Sequence, residues 1–267
     1  MPLSAEQKTH IKDILSSKLR EKIAAFAEQE DMNKPFYFNL FSKEIVFTAS
    51  LLQSIYTWLG GKWEEIAEIV AAGTFPRVER RYRLEGDITS REQAKIDNIL
   101  KDLELGVREI SIGRAKRELF DSFSEDDPRR RTSETVDLFL EVDNKEFYME
   151  LKSVKPNKNE MRAAKQDLLN VLAMRQKGKD IEKVYVYLAL PFNPYFTGQY
   201  RRWTVTKFFK TSEDLLVGKE FWDFVGGKDA YEELLEIFKE VGEESMDLIK
   251  RTIERLERGS TTIENFV

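Results

Sequence analysis

The 267 residues hold 43 Lys and Arg against 48 Asp and Glu, a net charge of −5, and are 41% hydrophobic and 34% charged; this is a globular composition with enough length for a sizeable core. The chain has no Cys and one His, which excludes disulfides, thiolate chemistry, imidazole-built zinc sites and Ser-His triads. No apolar run is long enough to span a bilayer, no leader pattern follows Met1, and the expected location is the cytoplasm.

Residues 4–30 read as an amphipathic helix with Ile11, Ile14, Leu15, Leu19, Ile23 and Phe26 on one stripe. Pro35 interrupts the chain before an apolar helix near 42–59, closed by Gly60-Gly61, and a short helix follows at 62–72. Ser90 is the expected cap of a helix near 91–104, with Ile96, Ile99, Leu100 and Leu103 inward. Residues 109–112 fit either a short strand or a continuing helix. Asp126-Asp127-Pro128 and Arg129-Arg130-Arg131 read as a loop.

Residues 135–154 read as a β-hairpin. Val136, Leu138, Leu140 and Val142 alternate with Asp137, Phe139 and Glu141, and Asp143-Asn144-Lys145 supplies turn chemistry. On the returning strand Glu150 and Lys152 share a face, about 7 Å apart. A two-residue turn brings Asp137 within cross-strand reach of Glu150 or Lys152. Two carboxylates and an ammonium at one end of a sheet suit a hard divalent cation such as Mg²⁺, which takes oxygen ligands and keeps several waters. The same spacing also fits an exposed hairpin with solvated charges.

Asn159 is the expected start of a helix at 160–177 that stops at Gly178. Residues 184–190 are the clearest buried strand, ended by Pro191. A loop rich in Pro and aromatics follows, then helices near 204–210, 219–225, 229–240 and 243–258. The order predicts an α/β fold, a small mixed sheet flanked by helices, in one domain over 1–267. Its parts are a mainly helical 1–125, a core at 126–195, and a loop and helical part at 196–267. Net negative charge argues against coating nucleic acid indiscriminately, but basic clusters exist at 77–83, 114–117, 129–131, 155–165 and 201–210.

Asp137 followed by Glu150-Leu151-Lys152 resembles the PD-(D/E)xK signature, with Thr135-Val136-Asp137 where the signature has Pro-Asp. The phrases at 152–157, 190–195, 200–204 and 220–227, with 34–36 and 88–90 upstream, resemble the TdeIII-type family of type II restriction endonucleases over most of the chain. The resemblance implies a restriction-endonuclease-like core that cuts double-stranded DNA at short palindromes of the GGNCC kind. It implies that Asp137 and Glu150 hold Mg²⁺ with the Leu151 carbonyl, and that Lys152 positions the attacking water. A second metal would need a further acid, for which Glu79 and Glu109 are candidates. Where the family has Asp, Glu150 keeps the charge and an oxygen ligand.

Base reading falls first to Arg201 and Arg202 beside Trp203, because arginine is the bidentate partner of guanine; phosphate clamping is the other role open to them. Arg129, Arg130, Arg131 and Lys155 are similarly ambiguous, and Asn193 and Gln199 serve DNA or the loop itself. Trp222 is expected in the core. If the target is a palindrome a homodimer follows, and a matching DNA methyltransferase is expected in the source. The alternatives are another nuclease on the same core, for repair or junction cleavage, and a DNA-binding protein without catalysis.

Overall fold

The computed structural model describes residues 3–28, 33–175, 181–195 and 198–264, which separate into two compact units. The unit spanning Trp63–Tyr231 contains the whole sheet. Its strands are β1 (Arg77–Thr89), β2 (Arg129–Val142), β3 (Lys145–Leu151), β4 (Val184–Leu190) and β5 (Leu215–Val217), side by side in chain order. The first three pair antiparallel and the last three parallel. The fold is therefore α/β with a mixed sheet flanked by helices, as the order of elements predicts.

The β2–β3 turn is Asp143-Asn144, both left-handed at φ 50° and 63°, which is the geometry that suits a two-residue hairpin. β3 is buried on both sides, and its apolar run follows from that. Phe147 packs on Phe224 of α9 (Lys219–Gly226) at 5.3 Å, beside α4 (Trp63–Ala71). Its neighbour Tyr148 joins the core built with α5 (Ser90–Leu105), α6 (Ile112–Ser122) and α7 (Lys158–Arg175). A Cβ on Gly86 of β1 would come within 2.9 Å of the Met174 Cβ, so glycine there lets α7 lie close to the sheet. α7 is the parallel crossover from β3 to β4.

Several elements differ from the sequence expectation. β1 fills the basic stretch at 77–89, β5 lies between expected helices, and α6 was not anticipated. Residues 109–111 are neither strand nor helix, and α6 starts at Ile112. Arg129, Arg130 and Arg131 are not a loop but the start of β2, paired with Thr89, Ile88 and Asp87. Thr89, not Ser90, caps α5, because Thr89 and Glu92 form a reciprocal capping box. Asn157, not Asn159, makes the equivalent exchange with Glu160 at the start of α7. The expected end of that helix at 177, and Gly178, lie outside the described residues. Trp203 opens the short α8 (Trp203–Thr206), and the two expected C-terminal helices are one, α10 (Ala230–Glu264).

The second unit comprises α1 (Ala5–Ala27), α2 (Pro35–Leu40), α3 (Lys43–Gly60) and nearly all of α10. Its core holds Ile23, Phe26, Phe47, Leu51 and Ile253. Among the described residues no helix is long and apolar enough to cross a membrane.

Candidate active site

The hairpin register decides where the acids meet. Leu138 pairs with Met149, so the next position places Asp137 across from Glu150. Lys152 Nζ lies 2.8 Å from Glu150 Oε2 and 3.3 Å from Asp137 Oδ2. The Leu151 N–H also donates to Asp137 Oδ2 at 2.7 Å, which fixes that carboxylate against the end of β3. Lys152 is anchored through its own N–H, which donates to the Ala189 carbonyl of β4 at 3.1 Å. The three side chains expected to converge do so.

On its other side Asp137 meets an irregularity. The β1–β2 ladder runs from Arg77↔Glu141 to Thr89↔Arg129 with one omission, the Arg81–Asp137 position. Arg81 there has φ 54°, an uncommon conformation for a residue with a side chain. Val136 and Phe139, which a regular strand would send to opposite faces, both join the α7 core. The strand therefore turns about its axis at Asp137. Such interruptions recur where a side chain must be aimed.

The electrostatics are those of crowded acids. Glu150 is buried, and its carboxyl is pushed up to about 7, first by burial and then by Asp137, with Lys152 opposing. Lys152 is raised although burial alone would lower it, because Glu150 and Asp137 together outweigh that effect. A further acid enters from α7. Asp167 is raised to about 6 by burial and then by Glu134, with Asp137 adding to the shift and Lys152 opposing it. Glu134 accepts from Asn170 Nδ2, one turn along α7, at 2.8 Å.

Among the described residues no three acids or histidines close on a point as a metal cage would. Asp137 Oδ1 and Glu150 Oε1 accept no hydrogen bond from described residues. A two-carboxylate set of this kind fits an ion that completes its shell with waters and phosphate oxygens.

Residues 3–242 match the family described as type II restriction endonuclease, HinfI. The chain belongs to that family. It is thus an enzyme, a site-specific deoxyribonuclease hydrolysing phosphodiester bonds, on a restriction-endonuclease-like fold with helical extensions. It is similar to the type II restriction enzyme HgiEI of Herpetosiphon aurantiacus, with 25% identity over 91% of this chain and 95% of that one. HgiCII of the same organism is 26% identical over 86% of this chain and 85% of its own. MjaII of Methanocaldococcus jannaschii is 28% identical over 65% of this chain and 49% of its own. No solved structure is a significant match.

Several of the basic clusters of this HinfI-family chain are paired within it. Arg77, Arg80, Arg81 and Arg83 pair with Glu79, Glu68, Glu64 and Glu85. Lys158 and Arg162 pair with Glu104, and Lys165 is buried against Asp214. Of the 155–165 cluster, Lys155 is exposed and has no carboxylate partner among the described residues.

Arg201 and Arg202 have none either. Arg201 lies with its guanidinium 4.9 Å from the Tyr195 ring, and half-buried Arg202 has an Nε without an acceptor. Asn193 serves its own loop, accepting from Tyr195 N–H at 3.0 Å and donating to the Gly198 carbonyl at 3.1 Å. Gln199 is exposed. This loop is tied to the exit of β3: Tyr200 Oη donates to the Val154 carbonyl and Thr204 Oγ1 to that of Pro156, each at 2.8 Å. Residues 196 and 197 within it lie outside the described set.

Arg129, Arg130 and Arg131 sit farther off, since Arg131 is about 20 Å along β2 from Asp137. Arg131 pairs with Glu85, Arg130 donates to Gln93, and Arg129 caps Phe123 and donates to the Glu125 carbonyl. Glu79 and Glu109 are engaged by Arg77 and Lys210. Asp167 is the acid the sequence reading missed, because its helix is read by its apolar stripe. Trp222 is core as expected, its Nε1 donating to the Pro191 carbonyl at 2.8 Å.

Because the folded Glu150 carboxyl sits near 7 and an unfolded one near 4.5, the native state holds the extra proton between those values. Stability is therefore lost as pH rises through that window. Glu150→Gln removes the titration, so relative to the parent it should gain stability between pH 5 and pH 8, by up to about 3 kcal/mol. Urea melts of both proteins at the two pH values check this; a variant that loses ground on going to pH 8 contradicts it.

Proposed function

We propose that this enzyme cuts both strands of double-stranded DNA, with Mg²⁺, at a short GC-rich palindrome of the GGNCC kind, and does so in the cytoplasm as a homodimer. The observation that carries the reading is the convergence of Asp137, Glu150 and Lys152 at one end of the hairpin. Asp137 and Glu150 would hold the ion, with the Leu151 carbonyl as third protein donor. Mg²⁺ supplies Lewis acidity toward the scissile phosphodiester. Lys152 orients the attacking water and its ammonium offsets charge developing on the phosphoryl oxygens. In-line attack breaks the bond from phosphorus to the 3′ oxygen and leaves 5′-phosphate and 3′-hydroxyl ends.

The GC-rich target is supported by the TdeIII-type phrases in the sequence. The described residues of each chain hold one such centre, and two strands have to be cut, which supports a pair of chains about a two-fold axis. A genome carrying this activity needs protection, so a methyltransferase of the same specificity belongs with it. Incubation with plasmid DNA in Mg²⁺, followed by run-off sequencing, should give discrete fragments from one palindrome. Ca²⁺, with looser geometry, should support specific binding without cleavage. Unspecific digestion, or equal rates in both ions, would contradict the reading.

The loop at 192–203 is the proposed reader. Its anchoring to the exit of β3 sets it beside the catalytic strand, while the acids there must face a phosphate. Arg201, exposed and close to the Tyr195 ring, is the better base reader, and half-buried Arg202 the better clamp. Arg201→Ala should cost about 1–3 kcal/mol of discrimination between cognate and single-mismatch duplexes. Arg202→Ala should weaken all duplexes alike and lower the salt slope by about one. Titrations across a salt series separate the two; equal losses on every sequence for both variants would place the reader elsewhere.

A further inference from the structure

We propose that the outer face of α2 and α3 is where two copies of this chain meet. The inference rests on the homodimer reading above and names its surface. α3 is unusual within its own chain: no Asp, Glu, Lys or Arg occurs from Ile45 to Gly61, although 34% of the protein is charged. Its inward face is accounted for by Val46, Phe47 and Leu51, which are buried. The opposite face should then be polar, and it is not. Ile45, Ala49, Leu52 and Tyr56 are exposed at spacings of four, three and four, the period of a helix-pairing seam. α3 thus has a second apolar face opposite its buried one, separated from it by uncharged polar residues such as Thr48, Gln53 and Thr57.

α2, joined to α3 through Phe41 and Ser42, exposes apolar residues as well. Phe36, Tyr37 and Leu40 are exposed on it, and Phe41 follows at its end. The four aromatics Phe36, Tyr37, Phe41 and Tyr56 are between 51% and 83% exposed. At 150–250 Å² per ring they present on the order of 500 Å² of largely apolar surface. Ile45, Leu52 and Leu40 add to the apolar area the two helices expose, whose sum approaches the roughly 800 Å² per partner of a stable interface.

A second copy is the occupant this surface fits. The seam is self-complementary and carries no charge that would repel its own image, as an isologous two-fold contact requires. Small Ala49 lets two such helices approach closely. The core of an interface is depleted of charge and rich in aromatics, as this face is.

The test is the mass of the full chain by light scattering and sedimentation, alone and with plasmid DNA, for the parent, Leu52→Glu and Tyr56→Lys. Both positions are exposed, and thermal melts confirm that the variants fold. The expected result is a dimeric parent whose dissociation constant rises about 100-fold or more in each variant. A second arm mixes Leu52→Glu with Leu52→Lys, where the proposal expects dimers to reappear in the mixture only. A dimeric parent with equally dimeric variants overturns the surface and leaves the homodimer reading standing. A parent that is monomeric at every concentration, on and off DNA, overturns both.

Discussion

Everything at the candidate centre depends on the register of one hairpin. The side-chain period of a strand is two, so a slip by one residue between β2 and β3 would send Asp137 and Glu150 to opposite faces. The left-handed pair Asp143-Asn144 prevents that slip by closing the hairpin in two residues, with Val142 paired to Lys145. The meeting of Asp137 with Glu150, the reach of Lys152 and the hydrogen bond from Leu151 to Asp137 all follow from that turn. The parallel pairing of β3 with β4 then brings the loop after β4 to the same end, where Tyr200 and Thr204 fasten it.

The arrangement runs against stability. Two acids share one ammonium in a partly buried place, with Asp167 and Glu134 adding to the same negative field. Crowded carboxylates with raised proton affinity mark sites that await a cation or act in proton transfer. The protein compensates elsewhere: Glu146, at the other end of β3, is held by Arg175 and the Tyr148 hydroxyl, and buried Lys165 has Asp214. Those buried charges are paired, whereas the acids at the end of the hairpin are left in excess of their cation.

Much of this was legible in the sequence because it rests on short-range rules. The hairpin is written in alternation and in Asp-Asn, the strand at 184–190 in an unbroken apolar run, and the inward positions of α5 in their helical spacing. β1 was harder to read because its period-two apolar positions, Val78, Tyr82, Leu84 and Ile88, are broken by Arg80 and Gly86 and set among seven charged residues. β5 has three residues and no period to read. The caps of α5 and α7 fell one or two residues before the expected positions because the Glu three residues on, Glu92 for Thr89 and Glu160 for Asn157, decides between neighbouring polar residues. Asp167 was hidden because its partners come from β2, more than twenty residues away in the chain.

The proposed cleavage depends on Lys152 acting between Asp137 and Glu150 on a phosphate. Single-turnover cleavage of a duplex in Mg²⁺, with protein in excess and binding saturated, measures that step without product release. Lys152→Ala should bind the duplex and cut it at least about 100-fold more slowly. A variant that is saturated with DNA and cuts within a few-fold of the parent rate would contradict it.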